Sequence, residues 1–189
     1  IVRVLYFFQI LGSPFFARPL LDQHYYDLCA RQLAGQGGDL IDGFRPLLYP
    51  LFLSVFYQIS SNSGILISIA AQMALSIGIT MLIATLAMRI FRSTEAGIGA
   101  GLLFCLSGPP LYFEGQLLIT TLFSFLLLLL SAVVFQALES SSNKKSVVLW
   151  ITAGVVLGLS AQARPNALPL ILFFPLLTLL RFIKTKAVR

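Results

Sequence analysis

Residues 65–88 read ILISIAAQMALSIGITMLIATLAM, twenty-four positions without a single charge. Coiled as an α-helix they rise about 36 Å, enough to cross a hydrocarbon core of about 30 Å with some tilt. Ser60-Ser61-Asn62-Ser63-Gly64 interrupts the apolar run on one side, and Arg89 and Arg92 close it on the other. The rest of the chain has the same character. Hydrophobic residues make up 58% of the 189 positions and charged residues 11%, with a mean hydropathy of +0.91. A soluble domain averages roughly 45–50% apolar and about 25% charged. The expected fold is therefore all-α, a polytopic helical membrane protein whose main solvent is lipid.

Working outward, further spans are expected at about 96–113, 115–138, 147–163 and 167–180, all within a single transmembrane domain covering 1–189. Gly108-Pro109-Pro110, the polar linker 139–145 and Arg164-Pro165-Asn166 punctuate them. Pro169 and Pro175 fall in the last span, where membrane helices tolerate proline. The opening run Val4–Ala17 is short for a spanning helix, so residues 1–17 are expected to be a truncated first helix; a signal-peptide core is the alternative, although Pro14-Phe15-Phe16-Ala17-Arg18 is a poor cleavage site. A chain that starts and stops beside apolar runs is expected to be a fragment of a longer protein.

Residues 18–63 are expected to form an outer loop, and within it 20–50 is the one long hydrophilic stretch. It carries Asp22, Asp27, Asp39 and Asp42, four of the seven carboxylates, with the only histidine, His24. Two helices lying at the membrane surface are expected in it. In the first, Asp22 is placed to cap the N-terminus, Tyr26, Cys29, Ala30 and Leu33 make an apolar stripe, and Asp27 and Arg31 pair at i, i+4 on the other side. The glycines at 35, 37 and 38 stop it. The second begins near Pro46 and runs through Phe56, shortened or bent by Pro50.

The net charge of +6 sits in short clusters between apolar runs. That is the pattern of topology-setting loops, and it argues against a nucleic-acid partner. Alternation places Arg89, Arg92, Lys144, Lys145 and the basic tail on one side, the cytoplasmic one. The acidic loop, the 110–115 turn and Arg164 fall on the outer face of a plasma (inner) membrane. That face then holds Asp22, Asp27 and Glu114 together with Arg45 and Arg164.

Ionised groups near membrane depth are functional candidates. Glu114 also admits a plain reading as a carboxylate at a helix start, favoured by the helix dipole. Asp22 admits one as a simple cap, and Tyr25, Tyr26 and Tyr49 one as an interfacial aromatic belt. His24 has no ligand-spaced partner, and Cys29 and Cys105 have no metal spacing, so no metal ligands are assigned, although the acidic cluster leaves a divalent metal open. No phosphate-cradling glycine loop and no G-x-S-x-G occurs. A base, a second carboxylate and arginines suit displacement of a phosphate by a hydroxyl: the base takes the proton and the arginines hold the departing anion.

Four segments, in order, carry a resemblance: S-P-F-F followed by L-D-Q-H-Y-Y-D-L-C-A-R-Q-L-A-G-Q-G (residues 21–37), R-P-L-L-Y-P-L-F-L (45–53), G-P-P-L-Y-F-E-G-Q-L-L (108–118) and G-L-S-A-Q-A-R-P-N-A-L (158–168). Together they resemble the N-terminal half of the family 39-like glycosyltransferases of the GT-C superfamily, which includes the protein O-mannosyltransferases and the lipid A aminoarabinose transferases of the cell envelope. The resemblance implies a GT-C-like helical bundle that transfers a sugar from a polyprenyl-phosphate donor to an acceptor on a protein, lipid or glycan. It implies Asp22 as catalytic base and Glu114 as the second site carboxylate, with Gln116 standing where relatives often have an acid. Arg164 and Arg45 are the donor-phosphate candidates, and Tyr25, Tyr26, Asp27 and Tyr49 the candidates for lining the substrate site. Asp22, Glu114 and Arg164 are expected to converge. A polytopic transporter or lipid flippase is the competing reading, though the spans offer it only scattered Ser, Thr and Gln; a non-catalytic scaffold is the third.

Overall fold

The computed structural model describes residues 2–12, 19–37 and 45–172. Among them the fold is all-helical, with α1 at Val2–Leu11, α2 at Asp22–Leu33, α3 at Leu48–Ile59, α4 at Gly64–Phe91, α5 at Thr94–Leu106, α6 at Gly108–Glu114, α7 at Thr120–Glu139, α8 at Asn143–Ala163 and a 3-10 helix at Pro165–Leu172. Three of these, α4, α7 and α8, are long and apolar enough to cross a membrane, and α5 with α6 supplies a fourth span if the bent pair counts as one. Large apolar side chains stand exposed along them, among them Met81, Phe91, Leu103, Val148 and Ile151. A helix that leaves such residues uncovered is stable only where the surroundings are themselves apolar. The chain is a helical membrane protein.

The chain divides into two compact units, Ile1–Phe125 and Leu126–Arg189, with the division inside α7. In the first unit α2 packs on α3, α3 on α4, and α4 on α5 and α6. The α4–α5 pair is joined by a two-residue link. Arg92 ends α4 in the left-handed region (φ 50°), and the Ser93 side chain caps α5 by accepting from the Ala96 amide at 3.1 Å. Two glycines four apart let these helices touch. A Cβ on Gly97 would lie 2.7 Å from the Ala84 carbonyl oxygen, and one on Gly101 3.3 Å from the Ala84 Cβ. Small residues at this spacing are how helices approach closely where no water drives them together.

Several expectations change. The run 96–113 is not one straight helix; α5 and α6 meet at a bend of 57°. Pro109 and Pro110 lack the N–H groups that would bond the carbonyls of Cys105 and Leu106, so the helix breaks. At the start of a new helix those missing donors cost nothing, and α6 begins there. The span expected from 115 begins at Thr120 instead, because 115–119 form a turn. Pro50 neither ends nor shortens α3, since it falls in the first turn, where its absent N–H has no intrahelical partner to lose. The last expected span opens as a 3-10 helix containing Pro169, and its remainder lies outside the described residues. The second unit holds the rest of α7, α8 and the 3-10 helix, with α8 packed on the latter.

Candidate functional site

The strongest polar feature of the first unit is an ion pair that joins the two ends of its sequence. Glu114 is the last residue of α6 and its side chain is 1% exposed; the Arg3 side chain, from α1, is 8% exposed. Arg3 meets it in a fork, Nε to Oε2 at 3.0 Å and Nη2 to Oε1 at 3.1 Å. The Ser76 hydroxyl, from α4, donates to Oε1 and accepts from Arg3 Nη2 at 2.9 Å. Arg3 Nη1 reaches the Cys105 sulfur at 3.2 Å, which brings this cysteine into the polar cluster.

Glu114 was expected at a helix start. It stands at a helix end, where the dipole disfavours an anion. The guanidinium and the hydroxyl compensate for that placement, and the macrodipole explanation of this residue falls away. The sequence reading missed Arg3 because it begins the first apolar run at Val4, one residue later.

Ser76 belongs to a stripe. Ser68, Gln72, Ser76 and Thr80 recur every four residues and so share one face of α4. The first three are completely buried. Gln72 is the hub: its amide donates to the backbone carbonyls of Glu114 (3.1 Å) and Gln116 (2.8 Å), while its carbonyl accepts from Tyr49 Oη at 2.8 Å. These polar residues are not scattered, as expected from sequence; their four-residue spacing was the signal.

Gln23 ties α2 to the same turn. Its amide donates to Gln116 Oε1 at 2.6 Å, and its carbonyl accepts from the Leu117 amide at 3.2 Å. Asp22, the neighbour of Gln23, is therefore held beside the turn that follows Glu114. Asp22 is not the N-cap, however. It is the first helical residue, and Leu21, in a left-handed conformation (φ 53°) and 91% exposed, holds the cap position without a side-chain bond. The Asp22 carboxylate, 58% exposed, pairs with Arg45 Nη1 at 2.9 Å. That bond, together with the contact to Tyr26 and against some desolvation, raises the Arg45 guanidinium above its ordinary range. Arg45 also lies over the Tyr25 ring, 4.8 Å from its centroid, and near Tyr26 at 5.9 Å. Such stacking suits a planar, weakly hydrated cation.

Asp27 pairs with Arg31 as expected, Nε to Oδ2 at 3.1 Å. It is nonetheless buried rather than on the open face, because Tyr57 of α3 donates its hydroxyl to Asp27 Oδ1. Burial first, and then that bond, raise the Tyr57 hydroxyl well above its usual range. Tyr26 packs edge-on against Tyr49 at 4.9 Å, and Tyr49 is wholly buried. Asp27 and Tyr49 thus act in the core, whereas Asp22, Arg45 and Tyr25 face the solvent side. His24 is exposed. No three of His, Cys, Asp and Glu gather as a ligand set among the described residues; Asp39 and Asp42 lie outside them.

Asp22, Arg45, Tyr25, Tyr26, Asp27, Tyr49, Glu114 and Gln116 all belong to the first unit. Arg164 belongs to the second, at the C-cap of α8, where its amide donates to the Ser160 carbonyl at 2.8 Å and its carbonyl accepts from Ala167. Comparison with protein-family models, with curated proteins and with solved structures finds no match to this chain.

Proposed function

We propose that the chain works as a membrane glycosyltransferase of GT-C type, taking a sugar from a polyprenyl-phosphate donor and passing it to an acceptor hydroxyl at the outer face. The observation that carries this reading is the accessible Asp22–Arg45 pair, seated on Tyr25 and tied through Gln23 to the turn after Glu114. Asp22 is the candidate base. It takes the acceptor proton as the acceptor oxygen bonds the anomeric carbon, and the bond from that carbon to the phosphate oxygen breaks. The phosphate leaves as an anion, so no general acid is required. Arg45 retains donors beyond the one on Asp22 and can hold a phosphate oxygen without leaving the carboxylate. Arg164 is the second donor-phosphate candidate. Glu114, neutralised by Arg3, serves this scheme by fixing the 114–117 turn against which Gln23 and Asp22 are set.

The test is sugar transfer from labelled polyprenyl-phosphate sugars by the intact gene product in membranes. Asp22→Asn is expected to lower transfer at least about a hundredfold, the scale of a lost general base, with membrane insertion unchanged. Transfer by that variant at the native rate removes Asp22 from the reaction.

One observation favours a second reading. A broken span with a buried ion pair at its end, the α5–α6 break with Arg3 and Glu114, is also a feature of transporters. Substrate uptake into proteoliposomes without any acceptor would select it.

A further inference from the structure

Beside Glu114, the bend between α5 and α6 leaves a cavity of about 180 Å³ against α4 and the first turns of α7. Its walls are mostly hydrocarbon, with Ile79, Phe104 and Phe113 among them. One side is the Ser76–Glu114 edge of the ion-pair cluster. Since Arg3 cancels the charge of Glu114, the lining carries no net charge.

Two hydroxyls in this wall behave unlike other helical hydroxyls of this chain. Ser68, Thr80, Thr85, Ser131 and Thr152 each turn back onto the carbonyl four residues earlier, at 2.7–2.9 Å. That is the usual refuge of a helical hydroxyl. Thr121 and Ser124 line the cavity and make no hydrogen bond among the described residues. Thr121 is only 4% exposed. The residue four before it, Leu117, lies in the 115–119 turn rather than in the helix. Both hydroxyls therefore keep a donor and acceptor capacity that a molecule in the cavity can use.

We infer that this cavity binds a neutral amphipathic alcohol drawn from the membrane, with its hydroxyl on Thr121 and Ser124 and its first carbons against Ile79, Phe104 and Phe113. The volume suits this occupant: an apolar cavity of about 150 Å³ already admits a benzene-sized molecule. The neutral lining disfavours an anionic or cationic headgroup, whose charge would be desolvated without a counter-ion. Pro109, at the bend, is exposed and lines the cavity, and Leu103, Leu106 and Tyr112 on the adjoining surface are exposed too, so the entrance faces an apolar surround. The site is independent of the transferase reading, since binding is read without any sugar transfer.

The test uses the protein in lipid nanodiscs with a diazirine-labelled hexadecanol, and with the matching labelled hexadecane and hexadecyl phosphate. Photolabelling by the alcohol is expected within residues 104–124 and to be displaced by unlabelled hexadecanol. Thr121→Val with Ser124→Ala should lower it about tenfold, on the scale of two lost hydrogen bonds, whereas Thr121→Ser keeps it. Ile79→Trp, which fills the cavity, should abolish it. The hydrocarbon probe should not respond to loss of the hydroxyls. Alcohol labelling that survives both the double substitution and Ile79→Trp overturns the proposal. So does hexadecyl phosphate labelling more strongly than the alcohol at equal concentration. Should the double variant fail to fold, Ile79→Trp and the competition arms decide alone.

Discussion

Arg3→Met isolates the central electrostatic claim. Methionine keeps much of the arginine stem's volume and removes the guanidinium. What remains around Glu114 is a carboxylate 1% exposed at a helix C-terminus, with Ser76 as its remaining side-chain partner. Both bonds of the Arg3 fork are lost, at 3.0 and 3.1 Å. Breaking one side of a buried ion pair costs about 3–5 kcal/mol, because the surviving charge keeps its desolvation penalty. In the folding equilibrium that is roughly two to three and a half decades. The companion Arg3→Met with Glu114→Met removes both charges and should recover most of the loss, since apolar replacement of a whole buried pair is often neutral. The assay is reversible unfolding in mixed micelles, followed by circular dichroism, across the four corners of the double-mutant cycle. A coupling of at least about 2 kcal/mol is expected, within the range for contacting residues. If Arg3→Met costs less than about 1 kcal/mol, or the double variant is no more stable than the sum of the singles, Glu114 does not depend on Arg3 and the reasoning fails.

Two further outcomes are expected. Gly97→Val puts a branched side chain where even a Cβ would stand 2.7 Å from the Ala84 carbonyl oxygen; overpacking of this kind costs about 1–3 kcal/mol, so a melting temperature equal to the native one would show that α4 and α5 are not in contact there. Tyr57, held protonated by burial and by Asp27, should make the protein lose stability as pH rises above about 10, where the unfolded tyrosine ionises and the folded one does not. Tyr49, raised the same way by burial, adds to that slope. Tyr57→Phe should cost about 1.5–3 kcal/mol at neutral pH, the scale of a hydrogen bond to a charged group, and should flatten the alkaline loss. An unchanged slope in unfolding measured from pH 9 to 11 would contradict the Tyr57 assignment.

The membrane character of this protein was determined by the sequence alone. Long uncharged apolar runs need only their own backbone hydrogen bonds and an apolar surround, so α4, α7 and α8 were legible one by one. The Asp27–Arg31 pair and the buried face of α2 were legible too, because helical spacing is local. Arg3 against Glu114 was not. The two lie 111 positions apart, and whether α1 delivers a guanidinium to the end of α6 depends on how helices pack. The break at Pro109-Pro110 was visible as a stop but not as a fresh start, and that start turned Glu114 from the head of a helix into its tail. Tertiary structure alone decided which carboxylate is buried, which is accessible and which hydroxyls lack a partner, because each depends on what a neighbouring helix places opposite.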